Sequence, residues 1–455
     1  MEFKPESFCP EPWSQIEISF AGEYSICCLA NYDKDFGMAH DENDQVMNVL
    51  THSFRDALNS KTHREQRLQL SRNEKPQRCR NCYDAEDSTR GLDEWNRSKG
   101  GGRSKRQRVI WATSKTTGGY VNVNNAQLFT KEDGSSTAPL VNLHLRFGNL
   151  CNMKCVMCSP QHSHLWYDDW LAMDYYDGEP IFKLGRYKTY YITPDPERHN
   201  KLSVSNMQPW WETDIWWQRF DEIVHQLRYI YFTGGEPFLV PALEICLDKM
   251  IAAGVAHKIQ LRFDTNLTVI HKRVLEKLKK FQDIIMCVSV DDIGDRYELI
   301  RYPGNYSKFV ENIKILKEHG IPIEYISSCI GIATPYAMMR VSEVAKELNV
   351  PTEFRFLEGP KWLDMRYLPR SAKEEIIERY QNHPSQEPRD LKWFKAIINL
   401  LNKYIDAEPD YEKLNEFVRC MDILDQRRNT DWRTTLGDVY DLLKKHCDSD
   451  LIKGL

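Results

Sequence analysis

No apolar run in this 455-residue chain approaches the roughly 20 residues that a membrane-crossing helix needs, so no bilayer span is expected. The opening residues Met1-Glu2-Phe3-Lys4-Pro5-Glu6 lack the basic and apolar stretches of a secretion leader, and the expected location is the cytoplasm. An excess of positive charge is missing too. The net charge is −5, so no overall basic field points to nucleic acid. No internal repeat is visible. Disorder is excluded by a 41% hydrophobic and 28% charged composition, and the length allows two or three domains with a large core. What the chain does have is thirteen cysteines. Without a secretion leader they point to metal or redox work rather than to disulfides.

Three of them form the run Cys151-Asn152-Met153-Lys154-Cys155-Val156-Met157-Cys158, a CxxxCxxC spacing. Three thiolates on one short loop can hold three irons of a cubane [4Fe–4S] cluster and leave the fourth iron open; such clusters normally take four Cys. The spacing alone also fits a zinc loop. Immediately upstream, Val141-Asn142-Leu143-His144-Leu145-Arg146-Phe147 alternates like a strand. Further on, the apolar run Tyr229-Ile230-Tyr231-Phe232 leads into Thr233-Gly234-Gly235-Glu236-Pro237. Two glycines let backbone approach a ligand without a Cβ clash. A carboxylate with exposed carbonyls suits an ammonium group. By itself this run also reads as an ordinary turn.

A second set lies near the N-terminus: Cys9, then Gly22-x4-Cys27 with Cys28 adjacent, and Cys79-Arg80-Asn81-Cys82. A CxxC pair grips one metal from one turn. Cys9, Cys27 or Cys28, Cys79 and Cys82 complete a four-thiolate set that suits structural zinc or a fully ligated iron–sulfur cluster equally well. The remaining Cys246, Cys287, Cys329, Cys420 and Cys447 read as packing residues.

The ordered pair of CxxxCxxC and GGEP resembles the radical S-adenosylmethionine (SAM) superfamily. One departure is Met157, where that family usually has an aromatic residue; a thioether packs there readily. The N-terminal cysteines resemble the SPASM/twitch auxiliary-cluster domain, here placed before the barrel instead of after it. The resemblance implies a SAM-binding [4Fe–4S] cluster on Cys151, Cys155 and Cys158. It implies a second, auxiliary [4Fe–4S] cluster on Cys9, Cys27, Cys79 and Cys82, with Cys28 as the alternative to Cys27. It places SAM against Gly234, Gly235, Glu236 and Pro237. The ribose falls near Ser289 or Asp291, in Ser289-Val290-Asp291-Asp292, and Asp264-Thr265-Asn266 could reach the same ligand. Arg301 could pair with the SAM carboxylate through its planar fork.

The expected fold is α/β: a partial (β/α)6 barrel over 139–360, with a Cys-rich N-terminal unit at 1–97, a linker at 98–138 and a helical region at 361–455. Strands are expected at 259–264, 284–290, 323–332 and 353–357, alternating with helices that Gly254 and Gly320 stop. In parallel barrels the chemistry sits at the C-terminal strand ends, where both motifs fall. A segment at 159–217 is long and rich in Trp and Tyr, and is read as a substrate-covering lid or a packed subdomain. The Gly- and Arg/Lys-rich stretch 98–108 reads as a flexible linker.

The implied activity is reductive cleavage of SAM to a 5′-deoxyadenosyl radical that abstracts hydrogen from a substrate. A peptide is favoured as substrate and a small molecule or nucleotide is the alternative. The expected electron donor is a reductase or a flavodoxin- or ferredoxin-type protein. From another class comes a zinc-organised binding protein without enzymatic activity.

Overall fold

The computed structural model describes residues 1–28, 30, 37–80, 82–83, 119–173, 192–194, 202–204, 209–357, 359–385, 387–448, 450–452 and 454. The linker at 98–108 and Tyr175, Tyr176, Tyr187, Tyr190 and Tyr191 of the aromatic segment lie outside these residues.

The described strands are β1 Gln15–Ile18, β2 Tyr24–Ser25, β3 Asn142–Arg146, β4 Ile192–Pro194, β5 Leu202–Val204, β6 Tyr229–Thr233, β7 Gln260–Thr265, β8 Asp283–Ser289, β9 Ile323–Ile330 and β10 Thr352–Phe356. Eight of them form one sheet in the order β10-β9-β8-β7-β6-β3-β1-β2. Six neighbours, from β3 through β10, run parallel, which is the partial (β/α)6 barrel expected. Helices Pro241–Ala252, Lys272–Leu278, Tyr306–Glu318 and Ala337–Glu347 connect successive strands. The helices before Gly254 and Gly320 end at left-handed glycines, at φ +69° and +71°.

Burial alternates along the strands. Ile230, Phe232, Leu261 and Phe263 pack against Leu243, Leu247, Leu275 and Leu278 of the helices. Tyr229, Tyr231, Arg262 and Asp264 turn to the opposite face, the concave interior, and are only partly covered. A second core joins helices Arg370–Gln381, Pro388–Lys403, Tyr411–Arg428 and Gly437–His446 around Trp362, Phe417 and Leu442.

The N-terminal segment is woven into the barrel sheet. β1 lies parallel to β3, with Ile16 opposite Leu143 and Ile18 opposite Leu145, and β2 folds back antiparallel on β1. Ile16 and Ile18 belong to the same core as the barrel strands. β1 escapes a hydrophobic scan because Gln15 and Glu17 alternate with its isoleucines. Glu17 is nonetheless buried, and Ser25 Oγ donates to its carboxylate at 3.0 Å.

Four tryptophans of the aromatic segment are core residues. Trp166 and Trp170 are buried in the C-terminal core, and Trp210 and Trp216 are buried around Phe147. Their large apolar area is worth more in a core than in a lid.

Candidate functional site

The thiol loop leaves the C-terminal end of β3 and is fastened on three sides. From the turn after helix Gly294–Ile300, Tyr302 O accepts from Lys154 N at 2.7 Å and Ile300 O from Val156 N at 2.8 Å. From the following segment, Ser163 Oγ donates to Met153 O at 2.5 Å and Trp166 Nε1 to Cys155 O at 3.1 Å. From the GGEP turn, Glu236 N donates to Leu150 O at 2.8 Å. Within the loop, Cys158 N donates to Cys155 O at 2.8 Å and brings these two thiols together. Cys155 is held below its usual pKa because it accepts the S–H of Cys158, and Cys158 is correspondingly raised. Burial pushes Cys151 up to about 12, and Asn266 Nδ2 approaches its Sγ at 3.8 Å.

The GGEP glycines are needed by the packing. A Cβ on Gly235 would meet Leu150 O at 2.1 Å, and Gly234 takes φ +129° against Gly148 O. Glu236 is fully buried. Its carboxylate accepts from Phe238 N at 3.2 Å, Thr265 Oγ1 at 2.7 Å and Asn266 N at 2.7 Å, which ties the ends of β6 and β7 together. Burial raises it to about 7. Pro237 opens the short 3-10 turn Pro237–Leu239 that follows.

Two of the residues expected around the ribose and carboxylate of SAM pair with each other. Arg301 Nε donates to Asp291 Oδ2 at 2.7 Å, and both side chains are buried. Asp291 Oδ1 accepts Cys329 N at 2.7 Å. Arg301 also interacts electrostatically with Cys155 and Cys158 and so stands beside the thiol loop. Ser289 is half-buried at the end of β8. Asp292 is clamped by Arg340 at 2.6 and 2.7 Å.

The N-terminal thiols converge as well. Cys9 is raised by burial and by Glu11, Cys79 and Cys82 around it. Burial, then Cys28, Cys82, Cys79 and Cys9, raise Cys27. Cys28 also interacts with Tyr229 and Tyr231 of β6, so the set borders the barrel interior. Among the described residues no group of three or more His, Cys, Asp or Glu side chains is placed to hold a metal ion. The chemistry of both sets suits iron–sulfur clusters: soft thiolate donors, three on one loop and four from three segments.

A polar network inside the barrel was not anticipated. Tyr231 donates its hydroxyl to Asp264 Oδ2, Arg262 Nη2 donates to Tyr325 Oη at 2.7 Å, and His144 stacks on Tyr231 with centroids 4.3 Å apart. Burial lowers His144 to about 4, so it is neutral at physiological pH. The sequence signal was period-two alternation, Tyr229-x-Tyr231-x-Thr233 and Gln260-x-Arg262-x-Asp264, which a search for apolar runs passes over.

A family model described as the radical SAM superfamily matches residues 145–335, and one described as an iron–sulfur cluster-binding domain, SPASM, matches residues 9–83. Among solved structures, native anSMEcpe with bound AdoMet is 16% identical with a TM-score of 0.35, over 53% of this chain and 59% of that one. Streptococcus suis SuiB bound to S-adenosylmethionine is 13% identical with a TM-score of 0.35, over 67% of this chain and 60% of that one. The same protein bound to precursor peptide SuiA is 14% identical with a TM-score of 0.34, over 65% and 59%. The chain thus covers about three fifths of the length of these structures. No curated protein matches it.

Proposed function

From the radical SAM model over residues 145–335 and the SPASM model over residues 9–83, we propose that the chain is a radical SAM enzyme that cleaves SAM reductively to functionalise a C–H bond of a peptide. The observation that carries this is the thiol loop: Cys151, Cys155 and Cys158 at the C-terminal end of β3, seated on the GGEP turn and flanked by Arg301. When bound, the open cluster and SAM supply a 5′-deoxyadenosyl radical that takes hydrogen from the substrate.

The chain's own residues bind and orient. Cys151, Cys155 and Cys158 would hold three irons, and Gly235 and Glu236 keep the loop before Cys151 in place. Arg301 places a cation beside the thiolates and fixes Asp291. Ser289, at the open end of β8, is available to a ribose hydroxyl. Cys9, Cys27, Cys79 and Cys82 would hold the auxiliary cluster; their closeness to Tyr229 and Tyr231 through Cys28 supports a role in moving an electron to or from the substrate. The interior offers donors and acceptors side by side in Arg262, Asp264, Tyr231 and Tyr325, a mixture that suits amide and polar side-chain groups of a peptide. The reductant in this reading is a reductase or a flavodoxin- or ferredoxin-type donor.

The test is metal content and SAM cleavage of anaerobically reconstituted protein. About eight irons per chain, with 5′-deoxyadenosine formed by the native protein but not by Cys155→Ala, are expected for one open and one fully ligated cubane. Zinc at both sites without iron would remove the radical reading and leave a zinc-organised binding protein. Deuterium transfer into 5′-deoxyadenosine from a small polar metabolite but from no peptide would move the substrate to the small-molecule class.

A further inference from the structure

The two family models stop at residues 83 and 335, yet a helix beyond both reaches the thiol loop. Helix Tyr411–Arg428 ends at Arg428, which is followed by left-handed Asn429 at φ 53°. Arg428 is only 6% exposed. Its Nε donates to Asp169 Oδ2 at 3.0 Å, and Asp169, itself 1% exposed, also takes Arg427 at 2.9 Å and Lys154 at 2.8 Å. Lys154 lies between the first two cysteines of the loop. Three cations on one buried carboxylate leave this corner net positive.

The Arg428 guanidinium lies over the rings of Trp166 and Tyr302, at 4.9 and 5.2 Å from their centroids. Both neighbours are tied to the loop backbone. Trp166 Nε1 donates to Cys155 O at 3.1 Å, and Tyr302 O accepts Lys154 N at 2.7 Å. Arg428 Nη2 is buried and has no hydrogen-bond partner among the described residues. A buried donor on a cation is costly unless something negative meets it. A thiolate-ligated cluster carries such charge, and hydrogen bonds to its sulfurs and nearby charge are known determinants of its potential.

We propose that Arg428 is a positioning residue for the open cluster: held by Asp169 between Trp166 and Tyr302, it supplies positive charge and an N–H donor that ease the cluster's one-electron reduction. The electron comes from the external donor, and the cluster gains one negative charge that the guanidinium stabilises. This rests on the radical SAM reading of Cys151, Cys155 and Cys158. The C-terminal helical region then has a function in the chemistry beyond packing.

The experiment is a potentiometric titration of full-length, anaerobically reconstituted protein, following the EPR signal of the reduced cluster that changes when SAM is added. Arg428→Gln should shift the midpoint negative, with the reduced-to-oxidised ratio at a fixed potential falling about tenfold, equivalent to about 59 mV for one electron. Asp169→Asn, which leaves the cations unbalanced, should shift it the other way. Arg427→Gln removes a more exposed partner of the same carboxylate and should change the ratio less than about twofold, since solvent screens it. A full iron complement with an unchanged midpoint in Arg428→Gln overturns the proposal, and so does an equal shift in Arg427→Gln. If Arg428→Gln fails to retain iron, Asp169→Asn decides: a positive shift supports the proposal, and no shift or a negative one overturns it. If the native protein itself gives no SAM-responsive signal, the radical SAM reading falls first and takes this proposal with it.

Discussion

Replacing Gly235 with alanine tests whether the GGEP turn holds the thiol loop by contact. The added Cβ would lie 2.1 Å from Leu150 O, 2.6 Å from Leu150 C and 2.8 Å from Asn149 C. All three are backbone atoms, so no rotamer change relieves the overlap. Ordinary contact between non-bonded atoms begins near about 3.5 Å, so turn and loop must part by roughly 1 Å. Overpacking of this kind costs about 1–3 kcal/mol. The bond from Glu236 N to Leu150 O, 2.8 Å long, would stretch with it and add about 1 kcal/mol. The sum, about 2–4 kcal/mol, is a large share of a typical folding free energy of about 5–15 kcal/mol. The displacement falls one residue before Cys151. Gly235→Ala should therefore lose about four irons, those of the open cluster, while the N-terminal set keeps its own. Gly254→Ala is the comparison: its Cβ would meet nothing within 4 Å, and only its φ of +69° is strained, at a cost of about 1 kcal/mol. Iron analysis and EPR on both variants, with urea unfolding of the metal-free forms, read the difference. A Gly235→Ala protein with a full iron complement and the unfolding midpoint of Gly254→Ala would refute the argument.

Three further outcomes are expected. Burial raises Glu236 from 4.5 to about 7, so its contribution to stability is present below about pH 4.5 and is lost as the pH rises through 7; the difference amounts to about 3 kcal/mol, and Glu236→Gln should flatten that slope in urea unfolding of the metal-free protein between pH 4.5 and 8. An unchanged slope would mean that Glu236 is not the group responsible. Arg301→Leu strands the buried Asp291 carboxylate and should destabilise the chain by about 3–5 kcal/mol in thermal unfolding; a melting temperature equal to the native one would show that Asp291 finds another partner. Cys27→Ala should cost the N-terminal cluster about four irons while Cys28→Ala keeps them, because Cys9, Cys79 and Cys82 surround Cys27. The reverse result would assign the ligand to Cys28.

Local pattern was enough for much of this. The spacing of Cys151, Cys155 and Cys158, the GGEP turn and the alternation of strand and helix from 139 to 360 are written within short windows, where periodicity and turn chemistry operate. The parallel sheet follows from them. Gly254 and Gly320 stop their helices as a left-handed cap requires.

Other features depend on residues far apart in the chain, and no window contains them. β1 joins β3 across more than a hundred residues, because Ile16 and Ile18 need an apolar neighbour and the edge of the barrel supplies it. Arg301 and Asp291 each read as a ligand contact in sequence, and only their burial side by side shows that they also pair with each other. Tyr231, Arg262, Asp264 and Tyr325 form a network only once their strands lie side by side. Lys154 and Arg428 meet on Asp169 only after the C-terminal helices have packed. The sequence by itself determined which side chains can ligate metal and which segments become strands. The tertiary structure alone decided which charges are buried together, because the cost of burying a charge depends on every segment that surrounds it.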